Sequence, residues 1–152
     1  MKKKILFGLL CLVAIVTLTG CSKKTVLTTE DFISKSEANG YQTVDVTTQF
    51  SEYDELKSAT LAMNDNYQVE FYVLDNETNA KSMFDTNKAT FEDYKTSSNA
   101  ESSVSLKNYS TYSLTTDGYY MYLSRVDNTL IYLRVEETYK DEVKSFVKAL
   151  GY

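Results

Sequence analysis

YSTYSLTTDGYYMYLSRVDNTLIYLRVE, residues 109 to 136, decides the fold. Asp117-Gly118 is the strongest hairpin signal in the chain, because a two-residue turn of the right hand needs positive φ and Asp-Gly supplies it. Asp127-Asn128 reads as a second two-residue turn. The stretch is therefore three strands, from Val104 to Thr115 (with a break near Lys107-Asn108), Tyr119 to Val126 and Thr129 to Val135. Two tight turns also fix the register. Thr115 falls opposite Tyr120, Leu114 opposite Met121, Arg125 opposite Leu130 and Leu123 opposite Tyr132.

Side chains alternate between sheet faces, so the register sorts them. One face takes Tyr109, Thr111, Ser113, Tyr120, Tyr122, Val126, Ile131, Leu133 and Val135. The other takes Tyr112, Leu114, Tyr119, Met121, Leu123, Leu130 and Tyr132, together with Arg125 and Arg134. Both faces are largely apolar, whereas a sheet open to water on one side alternates cleanly. Either helices cover both faces, or the second is partly open and binds something. Tyr112, Met121, Leu123, Arg125, Leu130, Tyr132 and Arg134 are the candidate binding face. Aromatic, methionine and arginine side chains are enriched at interfaces, and these are the only two arginines in the protein.

Working outward, Glu77 to Lys95 reads as a long helix capped by Asp75 or Asn76. Ala80, Phe84, Asn87, Phe91 and Tyr94 recur at three- and four-residue steps. Thr96 to Ser103 is polar and reads as a loop. Ser58 to Met63 and Tyr67 to Leu74 flank the loop Asn64-Asp65-Asn66 as a hairpin, preceded by a strand at Thr43 to Thr48. Thr28 with Asp31 opens a first helix that runs to Asn39, and Gly40 ends it. Tyr139, Val143, Phe146, Val147 and Leu150 stripe a last helix from Glu137, closed by Gly151.

The class is then α+β: a mainly antiparallel sheet of about five to six strands flanked by three helices, in the order α-β-β-β-α-β-β-β-α. That order resembles the small secreted α/β/α sheets of the PsbP or Mog1 type. The resemblance lies in element order alone and implies no site.

The chain opens on Met1-Lys2-Lys3-Lys4, followed by an apolar run from Ile5 to Val16. That run is about 12 residues, too short for the roughly 20 a spanning helix needs, and it has the pattern of a secretory signal. Leu18-Thr19-Gly20-Cys21 resembles the lipobox of bacterial lipoproteins, which implies a thioether-linked lipid on the Cys21 sulfur and cleavage before it. The expected organisation is a signal peptide at 1–20, a lipidated tether at 21–27 and one domain at 28–152. The expected location is the extracytoplasmic face of a cell membrane.

With 1–20 removed, three lysines go with them. The remainder carries 13 cations against 21 anions, a net of −8, where the whole chain has −5. Nucleic acid is an unsuitable partner for that balance. The chain has no histidine, no tryptophan and no proline, and its two cysteines are Cys11 in the leader and Cys21. A Ser-His-Asp site and a histidine- or cysteine-ligated metal are thereby excluded from the domain. No cofactor and no metal are expected. The paired acids Glu92-Asp93, Glu136-Glu137 and Asp141-Glu142 read as solvated faces and helix N-terminal charges. The functional expectation is a non-catalytic binding or accessory module, held to the membrane through its lipid and taking an envelope protein or a small ligand. An envelope enzyme working with carboxylates or tyrosine, or an inhibitor or immunity-type module, is the alternative.

Overall fold

The computed structural model describes residues 23–152; the expected signal peptide at 1–20, Cys21 and its neighbour Ser22 lie outside them. In chain order the elements are α1 (Thr29–Ala38), β1 (Gln42–Asp45), β2 (Leu56–Met63), β3 (Gln68–Leu74), α2 (Glu77–Glu92), β4 (Ala100–Ser105), β5 (Tyr109–Thr116), β6 (Tyr119–Val126), β7 (Thr129–Glu136) and α3 (Lys140–Leu150). One turn of 3-10 helix follows β1 and another precedes α3.

The seven strands form one antiparallel sheet in the order β1-β2-β3-β7-β6-β5-β4. It consists of two meanders, β1 to β3 and β4 to β7, each followed by a helix. They meet at a short seam where Glu70 to Val73 pair with Tyr132 to Thr129.

The expected register holds throughout the second meander, with Thr115 opposite Tyr120, Arg125 opposite Leu130 and Leu123 opposite Tyr132. At the first turn Asp117 (φ 48°) and Gly118 (φ 78°) are both left-handed, as a type I′ turn requires. At the second turn Asp127 takes positive φ (47°). The caps also form as read. Thr28 Oγ1 accepts from the Asp31 amide at 3.1 Å, and Asn76 Oδ1 from the Asn79 amide at 2.9 Å.

The strand count differs from expectation. The break at Lys107-Asn108 is a hairpin turn, and the polar stretch before it supplies β4, whose every residue is exposed. A strand with solvent on both faces needs no apolar alternation, so its sequence carries no period-2 signal. The long helix also stops three residues early, at Glu92, and leaves Tyr94 free to reach across the sheet.

Helices cover both faces. On one side α1 and α3 pack Phe32, Phe146 and Leu150 against Phe71, Ile131 and Leu133. The Phe32 and Phe71 rings stack at 4.7 Å, and Tyr41 lies on Phe146 at 3.9 Å. On the other side α2 packs Ala80, Phe84 and Phe91 against Tyr112, Leu114, Met121, Leu123 and Leu130. Both cores are complete within the described residues.

Candidate functional site

The seven positions of the candidate face divide in two. Tyr112, Met121, Leu123 and Leu130 are fully buried beneath α2, so the open sheet face offered as a possibility for them is in fact core. Arg125 is buried too, at the end of the sheet where α2 begins. Its guanidinium pairs with Glu77 at 3.1 Å and donates to the Asp127 carbonyl at 3.0 Å. Its long stem does not carry the charge out to water. Only Tyr132, half-buried, and Arg134, exposed, stay within reach of solvent.

These two line a groove of about 500 Å³ at the ends of the central strands that α2 leaves uncovered. The pairings build it. Alternation along β7 turns Tyr132, Arg134 and Glu136 to the α2 side. The register sets Glu70 of β3 beside Tyr132, Met121 of β6 beside Arg134, and Tyr119 beside Glu136. Tyr94, just past the end of α2, closes the arrangement from above. The Arg134 guanidinium lies 4.8 Å from the centre of the Tyr94 ring and 4.5 Å from that of Tyr119. Stacking between two rings orients the planar fork while leaving its N–H groups free. Among the described residues Arg134 has no carboxylate partner.

Glu70 at the groove's other wall is occupied. The Tyr72 hydroxyl donates to its Oε2, and Gln68 Nε2 donates to its Oε1 at 3.0 Å. Burial first, then the Glu70 charge, push the Tyr72 hydroxyl well above the ordinary tyrosine value. The Tyr132 hydroxyl is raised by the same two causes, with Arg134 opposing. Both phenols therefore stay protonated at neutral pH and act as donors, not nucleophiles. What remains is recognition chemistry: one oriented unpaired guanidinium, two aromatic walls and phenolic donors.

Sequence reasoning placed Tyr119 on this face but gave neither Glu70 nor Tyr94 a role. Glu70 arrives only through the β3–β7 pairing, which joins strands far apart in the chain and has no turn to announce it. Tyr94 was read as part of the helix stripe.

A second polar cluster sits on the α1/α3 side. Tyr41 and Tyr67 share a 2.5 Å hydrogen bond, and the Tyr67 hydroxyl donates to Glu142 at 2.8 Å, which makes Tyr41 the donor to Tyr67. Glu142 is exposed in the first turn of α3, as expected, and is also the acceptor at the end of this phenol chain. Burial and these bonds hold the Tyr67 hydroxyl far above its ordinary value.

No protein-family model and no curated protein sequence matches the chain. A solved structure described as a GTP binding regulator from Thermotoga maritima is similar, with a TM-score of 0.46 and 17% identity over 80% of this chain and 83% of that one. Among the described residues no helix is long and apolar enough to cross a membrane, and no group of three or more acidic, histidine or cysteine side chains is placed to hold a metal ion.

Proposed function

We propose that the protein is a lipid-anchored, extracytoplasmic binding module whose ligand is a peptide or protein presenting a carboxylate to Arg134. The anchoring half of this reading rests on Leu18-Thr19-Gly20-Cys21 behind a basic start and a short apolar run. The binding half rests on one observation, the unpaired Arg134 guanidinium held between Tyr94 and Tyr119 above an open groove. A guanidinium with its fork free matches a carboxylate with two parallel N–H···O bonds. Aromatic walls supply rigid contact area at small entropic cost, which is why tyrosine and arginine concentrate at binding hot spots. Nothing in the groove is poised to move a proton at neutral pH, which favours binding over catalysis.

The test has two arms. Mass spectrometry of the mature protein from membranes reads the N-terminus, and a lipid-modified Cys21 is expected. Cross-linking of the anchored protein in intact cells then compares wild type with Arg134→Ala and Arg134→Lys. The expected result is a specific product lost in Arg134→Ala and only partly kept in Arg134→Lys, since an ammonium cannot make the bidentate bond. A product pattern unchanged by Arg134→Ala would refute the groove as the binding site.

A further inference from the structure

We infer that the tip of the β4–β5 hairpin, with the lysines clustered around the start of the domain, is a second membrane contact that rests on an anionic bilayer surface. The inference builds on the reading of Cys21 as the lipid-bearing residue.

The geometry comes from how the chain enters the domain. The Lys24 carbonyl accepts a 2.9 Å bond from Asn108 Nδ2, in the turn between β4 and β5. The Lys24 ammonium lies 5.1 Å from the Tyr109 ring centre and 3.4 Å from the Gly151 carbonyl. Lys23 pairs with Asp127 at 3.7 Å. The entry point is therefore clamped to the hairpin. Lys24 stands three steps along the chain from Cys21, which at full extension is about 10 Å. A lipid on the Cys21 sulfur thus keeps the hairpin turn within about that distance of the headgroups.

The chemistry of the corner suits a bilayer. Leu106 and Val104 are 44% and 41% exposed, two residues apart on the hairpin. The other exposed large apolar side chains among the described residues are accounted for separately: Tyr94 and Tyr119 stack on Arg134, while Val44 and Tyr53 lie in the first meander. Lys107 at the tip is exposed, and Lys23 and Lys24 form the entry point itself. The acid nearest this cluster, Asp127, is already engaged by Lys23. Of the other acids at this end of the sheet, Glu77 is engaged by Arg125 of β6, and Glu55 and Asp75 are bonded to each other through their backbones beside the first meander. A positive, apolar-tipped corner on a chain of net charge −5 runs against its composition. Lysines beside a short apolar insertion are the pattern of interfacial membrane binding, with charge attracting headgroups and the side chain entering the acyl boundary.

The chain has no tryptophan, so one placed at Leu106→Trp is a unique reporter. The mature anchored protein is reconstituted into vesicles of phosphatidylglycerol mixed with phosphatidylcholine, and into phosphatidylcholine alone. On the anionic vesicles the emission shifts to the blue and brominated acyl chains quench it. Val44→Trp, on the far edge strand, does neither. The unlipidated domain from Lys23 partitions onto the same anionic vesicles, and Lys107→Gln weakens that partition about fivefold, the worth of one lysine at such a surface. Emission at position 106 that stays water-like on anionic vesicles would overturn the inference. So would insertion equal on both vesicle types, or lysines that bind inorganic polyphosphate while position 106 stays in water. Loss of flotation of the mature protein, with insertion of the unlipidated domain retained, would instead refute the anchor and leave the contact standing.

Discussion

The two faces of the sheet read almost alike as sequence and behave differently as structure. Each is rich in aliphatic and aromatic side chains, and each is covered. One face meets two helices, α1 and α3, and its core is knit by stacked rings and a buried phenol chain. The other meets α2 alone. α2 starts over Arg125 and stops at Glu92, with Phe91 against Tyr132. It therefore leaves uncovered the far ends of the central strands, and those ends hold Arg134 and its groove. The lesson is that the candidate site follows from a shortage of cover rather than from a distinctive motif.

The largest expected effect tests what the faces share. The Tyr112 hydroxyl under α2 and the Tyr152 hydroxyl on the α1/α3 side are each pushed up to about 12 from the ordinary 10.0, in both cases chiefly by burial. A raised folded-state value means the neutral form is favoured by folding. The stabilisation is then fully present below pH 10 and is lost as pH rises from about 10 through about 12. Alkaline titration followed by tyrosinate absorbance and circular dichroism should show ionisation and unfolding together. Ionisation of every tyrosine, the buried Tyr112 and Tyr152 included, with the sheet still intact would show that neither face is sealed.

Next, Phe146→Ala and Phe91→Ala probe one face each. Both rings are nearly fully buried, so each should cost about 3–5 kcal/mol in chemical denaturation. A much smaller loss for Phe91→Ala would mean that α2 is the looser cover and the groove wider than drawn. Removal of the Arg125 partner comes third. Glu77→Ala should cost about 1.5–3 kcal/mol, the worth of a hydrogen bond to a charged group, because a buried guanidinium is left with only a carbonyl acceptor. Arg125→Met should be close to neutral, since exchanging a buried ion for an apolar residue of similar size often is.

Tyr132→Ala sharpens the comparison at the boundary. Its ring is half-buried and 5.2 Å from Phe91, so the loss should fall at about 1–2 kcal/mol, between an exposed site and a full cavity. The smallest stability effect belongs to Arg134→Ala, under about 0.5 kcal/mol by thermal melting, although this is the variant expected to abolish binding. A large melting shift for Arg134→Ala would recast the stacked arginine as a structural clasp.

How much of this was legible in the residues depended on range. The two tight turns fixed the register of β5, β6 and β7 to the residue, and the division of side chains between faces followed from it. The caps at Thr28 and Asn76 were equally local. What escaped needed distant pairings or the absence of a signal. β4 has no buried face to imprint a pattern on Ala100 to Ser105. Glu70 reaches Tyr132 through strands that no turn connects. The residues leave open whether α2 covers the second face, because the extent of cover depends on where the helix starts and stops, and a periodic stripe records only that something lies there. Tyr94 was misjudged for a related reason: its spacing fits the stripe, yet the helix ends at Glu92 and the ring serves the arginine instead.

The seam between β3 and β7 has a kinetic consequence. Each meander is built from neighbouring strands and can assemble through short turns. The seam brings together residues about sixty apart in the chain, such as Phe71 and Ile131, and must close that loop before any contact across it repays the ordering. The hairpins should therefore form early and the joining of the two half-sheets late. Until that joining, β3 and β7 each present a bare strand edge rich in Val, Ile, Leu and Phe to whatever is nearby. For a newly made chain, that interval is when it is most exposed to pairing with a second copy of itself.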